Sequence, residues 1–175
     1  MKSKTQELAQ GVETLRELYP DLIDAEMFFT IGGLRSGGTT TGKMVLVGAE
    51  IATCGSTTDM SEFKNDWLRT VFAKQSIDNL VYLNIHEYIH TQQRGYKKRV
   101  LNQCIAEGSC DFIAELVPNK PVVTQYLTYG RLHAAELKVQ FERDMFSEDL
   151  SGWLYNGGQK GASADLGYYI RLRNM

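Results

Sequence analysis

Two of the three histidines in this 175-residue chain stand four positions apart, in His86-Glu87-Tyr88-Ile89-His90. On a helix, residues four apart lie about 40° apart around the axis, so both imidazoles would leave one face. Two neutral imidazoles so placed can bind one zinc ion. The carboxylate of Glu87 would then reach the coordination position taken by a water, where it could act as a general base. The chemistry this spacing points to is metal-assisted hydrolysis.

Two ligands are not enough, because a catalytic zinc usually takes three from protein. Residues 98–117 read as a further helix, joined to the first by a turn near Gly95. On an antiparallel partner the first carboxylate, Glu107, would face the histidine pair. Asp111 falls one turn further along the same face, placed to accept an N–H from a ligand imidazole. Glu115, about 80° round the helix from Glu107, competes for the ligand position. Cys104 and Cys110 on the same helix are possible thiolate ligands, but as buried helical thiols they read first as small hydrophobes.

The elements that must carry these groups follow from pattern. Leu8, Val12, Leu15 and Tyr19 recur at helical spacing over residues 3–19 and stop at Pro20. Residues 26–31 and 43–52 are rich in β-branched and large apolar side chains and read as two strands, with the glycine-rich run 32–42 as a wide hairpin between them. Ser61 is expected to cap a helix to about residue 74, and Ser76 another to about residue 94, with Gly95 closing it. One more helix is expected over 130–146, and a short one over 166–172. Helices and a small N-terminal sheet in this order make an α+β chain.

Composition narrows the function classes. Apolar residues are 43% of the chain and charged ones 23%, a balance that supports one packed domain over 1–175. A net charge of −2 without a basic run leaves no footprint for nucleic acid. No stretch approaches the roughly 18 apolar residues of a membrane span. Three cysteines make no disulfide framework. The N-terminal residues lack the apolar core of an export signal, so the chain as given reads as cytoplasmic. The stretch from Gly37 to Lys43 has the spacing of a phosphate-binding loop, but Met44 stands where Ser or Thr would hold Mg²⁺ and a β-rich run follows. No nucleotide is expected. His133, the remaining histidine, reads as a surface or structural helix residue.

HExxH followed by a helical E-x-x-x-D resembles the gluzincin metallopeptidases, and Ala106-Glu107-Gly108 resembles the segment that carries their third ligand. Three features together are closer still to a bacterial family of predicted zinc-dependent proteases related to a gliding-motility lipoprotein. They are IGGLRSGGTTTGKMVLVGAEIA, then HEYIHTQQ with IAEGSCDFIAEL, then WLYN…ADLGYYI, and they span most of residues 28–170. The resemblance implies a zincin-like fold, a peptidase acting on peptide or protein substrates, and Zn²⁺ at His86, His90 and Glu107. It also implies an edge strand that binds the substrate backbone, for which residues 43–52 are the candidate. Gly48-Ala49-Glu50 resembles the segment by which aminopeptidases hold a substrate amine, with Glu50 as the carboxylate. Tyr168, with Tyr169 as the alternative, would be the oxyanion donor. Family members often carry an export signal and a longer C-terminal region, so this chain is expected to be shortened at one or both ends. The rival expectation is a zinc-binding but catalytically silent module acting in binding or assembly.

Overall fold

Leu8 and Leu15 face inward from the first helix, and Gly11 lies between them. A Cβ at Gly11 would sit 3.3 Å from both Ile85 Cδ1 and Val117 Cγ1, so the missing side chain sets how closely this helix approaches its neighbours. The structure, a computed structural model, describes residues 2–34, 36–55, 57–64, 66–117, 124–157 and 160–170. Among them are seven α-helices and one three-stranded sheet, so the chain is α+β. It divides into two units, Met1–Gln92 with Leu116–Asn119, and Gln93–Glu115 with Lys120–Met175.

The first unit runs α1 (Lys2–Leu18), β1 (Glu26–Thr30), β2 (Gly38–Thr41), β3 (Met44–Gly48), α2 (Ala49–Ala52), α3 (Asp66–Lys74) and α4 (Leu80–His90). The sheet order is β1-β3-β2. Val45 and Val47 on the central strand alternate inward and are essentially fully buried, each contributing about 1.5–3 kcal/mol. Ser76 caps a single 3₁₀ turn, Ile77–Asn79, that runs straight into α4. From α4, Leu80, Val81, Ile85 and Ile89 are buried. Ile51, Cys54 and Phe72 form a smaller core under Leu34, Met60, Phe63 and Leu68.

In the second unit α5 (Val100–Leu116), α6 (Gln125–Leu132) and α7 (Ala134–Asp144) surround the segment that carries Trp153, Leu154, Leu166 and Ile170. Phe141 and Trp153 meet edge to face at 5.2 Å, a favourable aromatic geometry. The first turn of α5 is capped by the chain itself, with Val100 N–H donating to Ser147 O and Leu101 N–H to Met145 O, both at 2.9 Å.

Several expectations need correction. Residues 26–31 and 43–52 do not form a hairpin; β1 and β3 pair in parallel, Glu26 opposite Met44 through Thr30 opposite Gly48. The hairpin partner of β3 is β2, hidden inside the glycine-rich run, where the β-branched Thr39-Thr40-Thr41 outweigh the flanking glycines. β3 therefore is the middle strand, not an edge, and it ends at Gly48, after which 49–52 turn into α2. Gly48 has no alternative, since a Cβ there would collide with the Ser36 carbonyl at 2.2 Å. A phosphate-binding loop needs strand, loop and helix, whereas here its spacing falls on a strand and a turn. Ser61 lies in a turn, its N–H bonded to Asp59 Oδ1, and the helix starts at Asp66. α4 ends at His90 and not near residue 94. The helix expected over 130–146 is two helices broken at His133, and the tail carries a 3₁₀ turn at Leu166–Tyr168, with residues 171 and 172 outside the described part. No described helix is long and apolar enough to cross a membrane.

Candidate metal and catalytic site

In the first unit the HExxH segment is the C-terminal part of α4, as its spacing requires. His86 is buried and His90 half-buried, with their Nε2 atoms 3.1 Å apart and the rings nearly perpendicular. Two nitrogens each about 2.0–2.1 Å from one tetrahedral zinc would lie roughly 3.4 Å apart. The observed pair is within a few tenths of an ångström of that value, so the imidazoles fit a shared ion as they stand.

The helix end is fixed to the approach to β1. Gln92 brackets one backbone unit, accepting from Ile23 N–H at 2.8 Å and donating to Ile23 O at 2.9 Å. The Tyr88 hydroxyl accepts from Ala25 N–H at 3.0 Å. These residues lie on or just beyond HExxH and hold its helix in register with the sheet. Glu87 points at β2. A Cβ on Gly38 would stand 2.7 Å from Glu87 Cγ and 3.0 Å from its Oε1, so the carboxylate is pressed against the bare backbone of the edge strand. The edge beside the candidate base is thus β2, not the 43–52 stretch.

Glu50 and Gly48 sit where the sheet turns into α2. Glu50 Oε1 accepts from Gly32 and Leu34 N–H at 2.8 and 2.9 Å, and holds a loop in which Gly33 and Leu34 both have left-handed φ. The Leu34 N–H bond, ahead of the others, keeps the Glu50 carboxyl below its ordinary range. Its Oε2 is buried with no hydrogen-bond partner.

In the second unit Glu107 and Asp111 are both buried on α5. Tyr155 donates its hydroxyl proton to Glu107 Oε1 at 2.7 Å, and Gln103 Nε2 donates to the Tyr155 hydroxyl at 2.7 Å and to Glu107 Oε1 at 3.3 Å. Tyr126 donates to Asp111 Oδ2 at 2.7 Å, and its ring packs against Tyr168 with centroids 5.5 Å apart. Burial, then the negative charge of Glu107, raises the Tyr168 phenol well above its ordinary value, so it stays a protonated donor. Tyr169 is buried instead over Gly130, where a Cβ would strike its ring at 2.3 Å. Gln93 Nε2 donates to Ala106 O, Ser109 Oγ and Cys110 Sγ. Glu115 lies half-buried near the end of α5, and His133 stacks on Tyr129 at 4.1 Å between α6 and α7. All three cysteines are buried thiols; Cys104 is pushed up to about 12 by burial and then by the Glu107 charge.

Sequence reasoning missed Tyr155, Tyr126 and Gln103. Tyr155 lies in a stretch that reads as a plain loop beside Asn156-Gly157, and only the WLYN motif marks it. No family model matches the chain, and no curated protein or solved structure is significantly similar to it, so the family resemblance rests on the motifs alone.

Proposed function

We propose that the chain is a zinc-dependent peptidase of gluzincin type with a zincin-like fold. The observation that carries this reading is the pair of Nε2 atoms 3.1 Å apart on α4, with Glu87 between them in sequence and set against the edge strand β2. His86, His90 and Glu107 would hold the ion. When bound, zinc would supply a Lewis acid and a water whose pKa falls towards about 7.

The chain's own residues do the rest. The Glu87 carboxylate takes a proton from the attacking water and passes it to the leaving amine. An extended peptide lies along the outer edge of β2 and adds a strand there, which brings its scissile bond beside Glu87. The Tyr168 hydroxyl donates to the oxygen on which charge develops. Asp111 orients a ligand imidazole and so sets its tautomer.

The test is zinc content and turnover of a peptide library, with wild type beside Glu87→Gln. One zinc per chain in both, and turnover only in wild type, is the expected result. His86→Ala and His90→Ala should abolish binding. Glu107→Ala should cost far more zinc affinity than Glu115→Ala or Cys110→Ser; a crippled Glu115→Ala or Cys110→Ser would transfer the third ligand to that residue. Zinc at full occupancy with no turnover of any peptide would overturn the peptidase reading.

A further inference from the structure

Tyr155 is an aromatic residue in the left-handed region, at φ 58°, where bulky side chains are rare. Its side chain does little packing, since the residue is 60% exposed. Both sequence neighbours, by contrast, are locked. Leu154 is fully buried in the core of the second unit, and Asn156 is buried beside it. Asn156 and Asp165 clasp one another, Asn156 N–H donating to Asp165 Oδ1 at 3.0 Å and Asp165 N–H to Asn156 Oδ1 at 2.7 Å. Asn156 Nδ2 also donates to Ser151 O at 2.8 Å, and Gly167 N–H to Trp153 O at 2.7 Å. Asp165, like Tyr155, has a left-handed φ, at 56°. Asp tolerates that region, but a tyrosine rarely adopts it; the clasp beside Tyr155 holds it there, and what this delivers is a phenol hydroxyl to a buried carboxylate. An outlier over-determined by its surroundings points to a function served by the strain.

We infer that Tyr155 is a positioning residue that, with Gln103, holds the carboxylate of Glu107 in one rotation for a metal ion. This inference rests on the proposed role of Glu107 as a ligand. The triangle is closed: the tyrosine hydroxyl donates to Oε1, and the Gln103 amide donates both to that hydroxyl and to Oε1. A hydroxyl donating to an ionised carboxylate is among the stronger hydrogen bonds. Anchoring one carboxylate oxygen removes the rotational freedom that would otherwise be lost when the ion binds. Such outer partners of metal ligands typically contribute 10–100-fold in affinity. Packing alone would bury the phenol ring, whereas here the residue is 60% exposed and its hydroxyl still meets Glu107.

The experiment measures zinc affinity by competition with a chromogenic chelator on the metal-stripped full chain. The variants are Tyr155→Phe, Gln103→Leu, Glu107→Gln, the Tyr155→Phe/Glu107→Gln pair and His90→Ala, with melting temperature recorded for each. Tyr155→Phe should weaken zinc binding 10–100-fold at unchanged melting temperature, and Gln103→Leu should weaken it in the same direction. The double variant should bind no more weakly than Glu107→Gln alone, because Tyr155 acts through that carboxylate. With cobalt in place of zinc, the visible absorption should shift in Tyr155→Phe, a response that a merely structural role does not produce. Wild-type zinc affinity in Tyr155→Phe, beside lost binding in His90→Ala, overturns the positioning role and leaves the metal site standing. Full zinc binding in His90→Ala overturns the metal site itself, and the positioning role with it.

Discussion

Gly38→Ala pushes on Glu87 without touching a proposed metal ligand. The added Cβ would lie 2.7 Å from Glu87 Cγ and 3.0 Å from its Cδ and Oε1. To restore even a tight 3.4 Å contact the Glu87 side chain must give way by about 0.7 Å, and the carboxylate moves with it. The side chain is flexible and Gly38 has no left-handed φ, so the fold should absorb the change. The lost backbone entropy of an unfolded glycine offsets part of the push, by about 0.4–1 kcal/mol. A misplacement of about 1 Å in a catalytic constellation costs on the order of 10²-fold. The expectation is a 10–100-fold fall in peptide turnover at wild-type zinc content and nearly unchanged melting temperature. Gly37→Ala is the control, since its Cβ meets only Ile51 Cγ2 at an ordinary 3.5 Å. Undiminished turnover in Gly38→Ala at full zinc occupancy would refute the role given to Glu87. A fall in zinc content that parallels the fall in turnover would place the damage at the histidines instead.

Gly130→Ala should destabilise the chain even though alanine is the better helix former by about 1 kcal/mol. Its Cβ would strike the buried Tyr169 ring at 2.3 Å, and overpacking typically costs about 1–3 kcal/mol; a raised melting temperature would show that the ring moves aside freely. Glu50 sits below its ordinary carboxyl range because Leu34 N–H, and then other backbone amides, bond its charged form. A depressed folded pKa contributes stability above the unfolded value of about 4.3, and that contribution disappears as pH falls through the folded value. The stability gap between wild type and Glu50→Gln should therefore be present at pH 7 and shrink below pH 4; a gap independent of pH would remove the carboxylate from the account. Cys104, raised to about 12 by burial and then by Glu107, should resist iodoacetamide in the native chain at pH 8 and react only on unfolding. Mass spectrometry of the alkylated native protein reads this, and rapid native labelling at Cys104 would contradict it.

What the sequence determined by itself was local. Apolar residues at helical spacing predict α1 and α5 almost to their ends, because a 3.6-residue period is a property of the segment. The placement of His86, Glu87 and His90 on one helix follows from the same arithmetic, and so does Glu107 with Asp111 on another. What only the tertiary structure decided was non-local. Nothing in residues 26–30 says that they pair in parallel with 44–48, since strand pairing is chosen by the shared buried face and not by either strand alone. β2 was hidden because the glycine-rich run around it read as a turn, although Gly38 lets the strand lie against Glu87. The break at His133 falls inside a helical pattern, where α6 and α7 part as Leu127 and Leu137 both turn into the second unit's core. Tyr155 was illegible for the same reason. Its hydroxyl reaches Glu107, 48 residues earlier in the chain, only because the Asn156–Asp165 clasp holds its backbone in a left-handed turn. A side chain's chemistry can be read from its type, but its partner is set by chain segments that meet only when the core is packed.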